Sequence, residues 1–222
     1  MSGSYKTARF PPLSTSGHDL SEDATGGMSQ LLGLAGFALV GSITPGPNNS
    51  LLLASGSRFG FRRTAPHVAG TAVGMGVLVF AVAGGVGVVL LAVPGIDLAL
   101  KVVGSAYLLY LAARILGSRG AGATVAARPL GLLGGVGFQF ANPKGWLFAL
   151  AAAGTFLPPG LTPLAGAVAV AATCAVVILG TAAVWAAGGA ALHRLADDGR
   201  AQRVVNVALA LVLAASVTFI WI

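Results

Sequence analysis

The sequence predicts an all-α polytopic membrane protein, with six transmembrane helices as two inverted three-helix halves and spans 1 and 4 broken at mid-membrane. Three observations lead there. Of 222 residues, 56% are hydrophobic and only 9% charged, with mean hydropathy +0.87, whereas soluble domains carry about 25% charged residues. Arginine-rich connections alternate with nearly uncharged ones. Two spans carry a proline interruption, with asparagine beside it, near their middle.

Residues 1–27 are polar, rich in Ser, Gly and Pro, and without apolar period. They are expected to form a disordered tail. They lack the basic start, apolar core and cleavage site of a signal peptide. Met28 opens the first apolar span directly and stands as an alternative start, so the tail need not belong to the mature protein. The membrane domain is then 28–222, with halves 28–117 and 128–222.

Span 1 covers 29–57. As one helix, Ser29 to Arg58 would be about 45 Å long, against roughly 30 Å of bilayer core. Within it stands Thr44-Pro45-Gly46-Pro47-Asn48-Asn49. Two prolines around a glycine cannot continue an α-helix, since each lacks an N–H and crowds the preceding turn. The flanks are too apolar for a water-facing loop, and irregular backbone at membrane depth must be buried or line a cavity. Span 2 covers 65–92 and ends at Val93-Pro94-Gly95. Span 3 is 97–117, span 4 is 130–157, span 5 is 162–188 and span 6 is 204–222.

The connections fix the orientation. Arg58, Arg62 and Arg63 follow span 1; Arg114, Arg119 and Arg128 lie about the third connection; Arg194, Arg200 and Arg203 lie about the fifth. The other two connections hold one charge, Asp97, and none. Nine of the thirteen basic residues therefore share one side, which the positive-inside rule makes cytoplasmic. Both termini lie outside on this reading.

Span 4 has Gln139-Phe140-Ala141-Asn142-Pro143-Lys144 at its midpoint. Spans 1 and 4, which open the two halves, thus carry matching interruptions. An odd number of spans per half runs the halves in opposite directions, as in inverted-repeat transporters with sites between discontinuous helices.

The chemistry of the two breaks suits a zwitterion. After Pro47 a new half-helix begins, and the N–H groups of Asn48, Asn49 and Ser50 can take a carboxylate. Asn142 is placed to N-cap the second half-helix, with Pro143 at its first position. Lys144 adds a full charge at a depth where a lysine costs at least about 2.5–3.5 kcal/mol, so it should face a cavity or a partner. Carbonyls left unpaired around Gly41 to Thr44 are acceptors for an α-ammonium. Pure capping is the alternative reading for each asparagine.

Other classes fall away. The pI of 10.6 does not indicate nucleic acid, because the charges lie between spans and form no basic face. Cys174 is the single cysteine and His18, His67 and His193 share no segment, so neither a disulfide nor metal-ligand spacing is present. No cofactor is expected. A membrane enzyme would need a nucleophile or acid–base pair in the spans. A passive channel or assembly subunit of the same fold stays open. The partners expected are an amino-acid substrate and membrane lipid, with a homo-oligomer left open.

At this point the residues resemble a known family. Thr44-Pro45-Gly46-Pro47-Asn48-Asn49 is similar to the signature of the lysine-exporter (LysE/RhtB-type) family of amino-acid efflux permeases. Leu100-Lys101-Val102-Val103-Gly104-Ser105-Ala106-Tyr107-Leu108-Leu109-Tyr110-Leu111 resembles that family's third-span pattern, and Asn142-Pro143-Lys144 with Phe148 its fourth-span motif. The resemblance covers about residues 28–222. It implies a six-helix bacterial inner-membrane exporter of amino acids or close derivatives, coupled to the proton gradient. Substrate-binding residues are then expected among Thr44, Pro45, Gly46, Pro47, Asn48, Asn49, Asn142, Pro143, Lys144 and Tyr107, with no catalytic residue and no metal.

The sequence departs from the family in one respect. Gly70-Thr71-Ala72-Val73-Gly74-Met75-Gly76 carries no carboxylate where some relatives place a polar or acidic residue. A proton-coupled mechanism then requires Lys144, His67 or the substrate to titrate, with His67 otherwise an interfacial residue. A neutral amino acid fits this span better than a cationic one. The many glycines are expected to serve close helix packing.

Overall fold

A computed structural model describes residues 17–86, 95–116, 128–195 and part of 203–221. The described residues are helical, with no strand among them. Helix α1 (Gly17–Ile43) is followed by α2 (Pro47–Ala81) and a π-helical turn, Val82–Val86. Then come α3 (Ile96–Leu116), α4 (Leu132–Ala141), α5 (Pro143–Thr155) and α6 (Pro163–Leu195). Among the described residues, three stretches are long and apolar enough to cross a membrane: Gly26–Ile43, Pro47–Val86 and Pro163–Leu192.

The stretches expected from hydropathy map unevenly onto these helices. Span 1 is divided between α1 and the start of α2. Span 3 is α3, and span 4 is α4 followed by α5. Span 5 is α6, which continues to Leu195 rather than stopping at 188. The end of span 2, at 87–92, lies outside the described residues, and span 6 is described only in part. Helix α1 begins at Gly17, so residues 17–27, assigned by composition to a disordered tail, are helical. Residues 1–16 of the expected tail lie outside the described residues.

The connection expected at Arg58, Arg62 and Arg63 is not a loop. Helix α2 runs through it, and only Gly60 leaves helical geometry (φ 76°, ψ 166°). A positive φ is open to glycine at no steric cost, so the chain reverses within one residue. As one straight helix, Asn48 and Thr71 would be about 34 Å apart. Their side chains instead meet at 3.1 Å, and Ser55 meets Thr64 at 2.9 Å. Helix α2 is therefore a hairpin of two arms, 47–59 and 61–81.

This hairpin is the centre of the molecule. It packs chiefly on α6, next on α4, while α1 also lies against α6. Glycine makes those crossings close. A Cβ on Gly70 would overlap the Leu132 carbonyl of α4, and one on Gly56 the Ala186 carbonyl of α6. One apolar cluster joins Leu34 and Ala38 of α1, Leu78 and Val79 of α2, Phe148 and Ala149 of α5, and Val170 and Ile178 of α6. A second joins Leu52 and Val68 of the two arms to Ala182 and Ala186 of α6. Between the clusters the chain leaves a polar gap. The outer surface is apolar as well: Leu32, Leu133, Val176 and Val184 are all more than half exposed, which suits helices that face lipid.

Candidate functional site

The gap is set by the two places where helix stops and restarts. Helix α1 makes a final bond from the Thr44 N–H to the Val40 carbonyl (3.2 Å). Pro45 and Pro47 then remove two donors in succession, and carbonyls at the helix end lack their usual partners. Two side chains replace them. Asn49 Nδ2 donates to the carbonyls of Ser42 (2.7 Å) and Thr44 (2.9 Å). Lys144 Nζ donates to the carbonyls of Thr44 (2.9 Å) and Pro45 (3.3 Å). Carbonyls that the sequence suggested for a substrate ammonium thus already hold the protein's own ammonium and amide.

Gly46 sits before α2 with extended backbone (φ −175°), which any residue adopts. Its lack of a side chain matters for space instead. A Cβ there would lie 3.1 Å from Lys144 Cδ and 3.2 Å from Nζ. Glycine is what lets the lysine reach over the break. Pro47 begins α2, and the first-turn bond runs from the Ser50 N–H to the Gly46 carbonyl at 2.9 Å. That leaves the Asn48 and Asn49 N–H groups, and not Ser50, as the donors of this helix end.

At the second interruption α4 ends at Ala141 and α5 starts at Pro143, with Asn142 extended between them (φ −93°, ψ 107°). The expected side-chain cap by Asn142 is not made. The backbone explains why: the Asn142 carbonyl itself takes the Gly145 N–H at 2.9 Å. The side chain is left over, and Asn142 Oδ1 is buried without a partner. Gly104 of α3 lies against this break, where a Cβ would meet the Pro143 ring at 2.6 Å. Tyr107 lies on α3, but its side chain is outside the described residues.

A cavity of about 470 Å³, including its mouth, opens between the interruptions. Gly46, Pro47, Asn48, Asn49, Asn142 and Lys144 line it, with Gly41 and Ser42 of α1, Thr71 and Met75 of α2, Gln139, Phe148, and Ile178, Thr181 and Ala182 of α6. Thr44, Pro45 and Pro143 do not line it. Among the described residues no carboxylate lines the wall.

Four polar lining residues were not singled out as site residues from sequence: Ser42, Thr71, Gln139 and Thr181. A signal was available, since polar groups within apolar spans are site candidates by default. Asn48 Oδ1 accepts from Gln139 Nε2 at 3.0 Å and lies 3.1 Å from the Thr71 hydroxyl, which also reaches the His67 carbonyl at 3.0 Å. On the opposite wall the Thr181 hydroxyl donates to Ser42 Oγ at 2.9 Å. His67, expected at an interface, is instead fully buried.

The wall offers complementary groups. An ammonium has three N–H donors, and Lys144 uses two on the Thr44 and Pro45 carbonyls, leaving one for an anion. Asn142 Oδ1 is an unpaired acceptor. Phe148 gives an apolar side, stacked on Phe37 with ring centroids 5.0 Å apart. A small zwitterion with an uncharged side chain matches these groups.

The family model for the LysE type translocator matches residues 39–219. The chain is 32% identical over 177 residues to a cysteine/O-acetylserine efflux protein of Salmonella paratyphi A, covering 80% of this chain and 90% of that one. It is 30% identical over 178 residues to a protein of the same description from Escherichia coli K12, again covering 80% and 90%. A third such protein, from Klebsiella pneumoniae, is 34% identical over 124 residues, covering 55% and 63%. No solved structure matches.

Proposed function

The chain belongs to the LysE type translocator family, and on that premise we propose that it is a secondary active exporter of small neutral amino acids or close derivatives, driven by the proton gradient. Membership makes it a membrane translocator and not an enzyme. The observation that carries the proposal is the cavity at the meeting of two helix interruptions, with an ammonium and an unpaired amide oxygen in its wall.

In this reading the substrate carboxylate takes the remaining Lys144 N–H and the first-turn donors of α2 at Asn48 and Asn49. The substrate ammonium is held by Asn142 Oδ1. The two interruptions lie at mid-membrane, in spans 1 and 4 of a six-span inner-membrane protein. The cavity's level on α6, Ile178 to Ala182, supports this, because the apolar stretch Pro163–Leu192 has its centre at about residue 178. The relatives named for cysteine and O-acetylserine make those two compounds the first candidates. Both are zwitterions with uncharged side chains, as a wall without carboxylates requires.

The test has two arms. Cells expressing the protein should survive inhibitory cysteine or O-acetylserine better than cells without it. Purified protein in liposomes should show counterflow, uptake of labelled O-acetylserine driven by unlabelled O-acetylserine inside. A passive channel gives leakage without counterflow, and that result would end the exporter reading.

A further inference from the structure

We infer that His67 is the proton-binding residue that couples export to the proton gradient; this deepens the exporter reading and rests on it. His67 is 0% exposed, and neither Nδ1 nor Nε2 has a hydrogen-bond partner. A neutral imidazole carries one N–H and one lone pair. Leaving both unpaired in a closed interior is unfavourable, and such a group calls for a functional account.

The other ionisable groups suit the role less well. Lys144 holds its protons against two backbone carbonyls. Cys174 is buried in the apolar cluster with Leu34, Val170 and Ile178. On the elements that pack on α2, the remaining ionisable groups are His193 and Arg194 at the end of α6; α4 carries none. On α2 itself they are Arg58, Arg62 and Arg63 about the Gly60 turn, all exposed. Among the described residues no carboxylate faces the ring.

Position supplies the link to transport. One turn after His67, Thr71 meets Asn48 in the cavity wall. On its other side, Thr64 is fully buried and meets Ser55 at 2.9 Å beside the Gly60 turn. Buried polar groups thus run from the cavity, past His67, to the arginine-bearing end of the hairpin. The His67 backbone also sits at a close helix crossing: a Cβ on Gly135 of α4 would lie 2.9 Å from the His67 carbonyl. Helix α4 continues to Gln139, which holds Asn48. A proton on the ring lone pair gives an imidazolium with no counter-ion, which disfavours this close packing of α2 on α4. Proton occupancy is thereby tied to the arrangement of the cavity. One proton bound from outside is released inside for each zwitterion exported, so each cycle moves one net positive charge inward.

The experiment uses the full chain in liposomes and labelled O-acetylserine as the probe. Wild-type efflux should accelerate several-fold when the receiving side is made acidic. His67→Gln and His67→Asn should keep substrate-for-substrate counterflow, because His67 does not line the cavity, and should lose the acceleration. Acceleration that persists in either variant overturns the proposal. Absence of all transport by the wild type overturns the exporter reading beneath it. If both variants fail to fold, His18→Gln with His193→Gln leaves His67 as the one imidazole for nitrogen NMR in nanodiscs. A titration between about pH 5 and 9 whose midpoint moves with O-acetylserine supports the role. A ring that stays in one protonation state overturns it.

Discussion

Lys144 Nζ donates to the Thr44 carbonyl at 2.9 Å, joining side chain to backbone across 100 residues of chain. The bond ties the C-terminal end of α1 to the first turn of α5. Positive charge is favourable at a helix C-terminus, and here it also substitutes for donors that Pro45 and Pro47 cannot supply. One residue thus closes the first interruption and forms part of the wall at the second.

Replacing Lys144 with Met keeps length and apolarity but removes both roles. Hydrogen bonds to charged groups are worth about 1.5–3 kcal/mol, so transport should fall by about tenfold to a hundredfold. Lys144→Arg should recover little, because a planar fork is bulkier than an ammonium and the space beside Gly46 is already filled. Counterflow by purified variants, normalised to folded protein, reads this directly. Wild-type rates in Lys144→Met would remove the residue from the site.

Gly46→Ala tests the clamp without touching the lysine. The new Cβ would press on Lys144 Cδ at 3.1 Å and push the ammonium off its carbonyls. Transport should drop by roughly tenfold, the scale of one weakened charged hydrogen bond. In the Lys144→Met background the same change should have little further effect. Such non-additivity is the mark of residues in contact, and additive losses would show that Gly46 acts through something else.

Gln139→Leu leaves Asn48 Oδ1 with Thr71 as its sole donor, and Thr71 has the His67 carbonyl as an alternative acceptor. An unsatisfied buried acceptor costs about 1–3 kcal/mol. The midpoint of thermal unfolding in detergent should fall, and substrate affinity with it. Gln139→Glu should restore neither, since a carboxylate cannot donate to Asn48 Oδ1.

Two glycines should behave in opposite ways. Gly70→Ala drives a methyl into the Leu132 carbonyl, a backbone atom that cannot rotate aside. Overpacking of this kind costs about 1–3 kcal/mol, so folded yield should drop. Gly36→Ala in α1 meets nothing within 4 Å and should be neutral or stabilising by about 0.4–1 kcal/mol. Fluorescence-detected size exclusion of the two variants decides it.

The residues that break a helix were legible in the sequence, because proline acts locally. Thr44 to Pro47 and Asn142-Pro143 mark where α1 and α4 stop whatever surrounds them. Which donor meets which acceptor was not legible, since that depends on tertiary distance. Of the carbonyls assigned to a ligand, those of Ser42 and Thr44 are already held by Asn49 and Lys144. The capping role of Asn142 failed because the residue's own backbone carbonyl took the Gly145 N–H. The Gly60 reversal was hidden by arginines that suggested a loop, while one glycine with positive φ suffices. His67 was misplaced because a lone histidine beside arginines looks interfacial, and only the fold shows it fully buried.

The hairpin geometry bears on membrane orientation. From Asn48 to Gly60 the first arm of α2 rises about 18 Å, a little over half of a bilayer core of roughly 30 Å. With the cavity at mid-depth, the Gly60 turn and its Arg58, Arg62 and Arg63 reach one membrane surface. Helix α5, Pro143–Thr155, spans about 20 Å from the second interruption and ends at Pro158-Pro159-Gly160, a turn without charge. By the bias of basic residues, Arg62 is expected on the cytoplasmic side and Gly160 outside. Reporter fusions at Arg62, Gly120 and Gly199 should therefore read as cytoplasmic, and fusions at Gly95 and Gly160 as external. The reverse pattern would exchange the two mouths of the site. Arg62 and Gly160 on one side would be more damaging, because the two half-helices would then leave the cavity in the same direction and the halves could not be inverted.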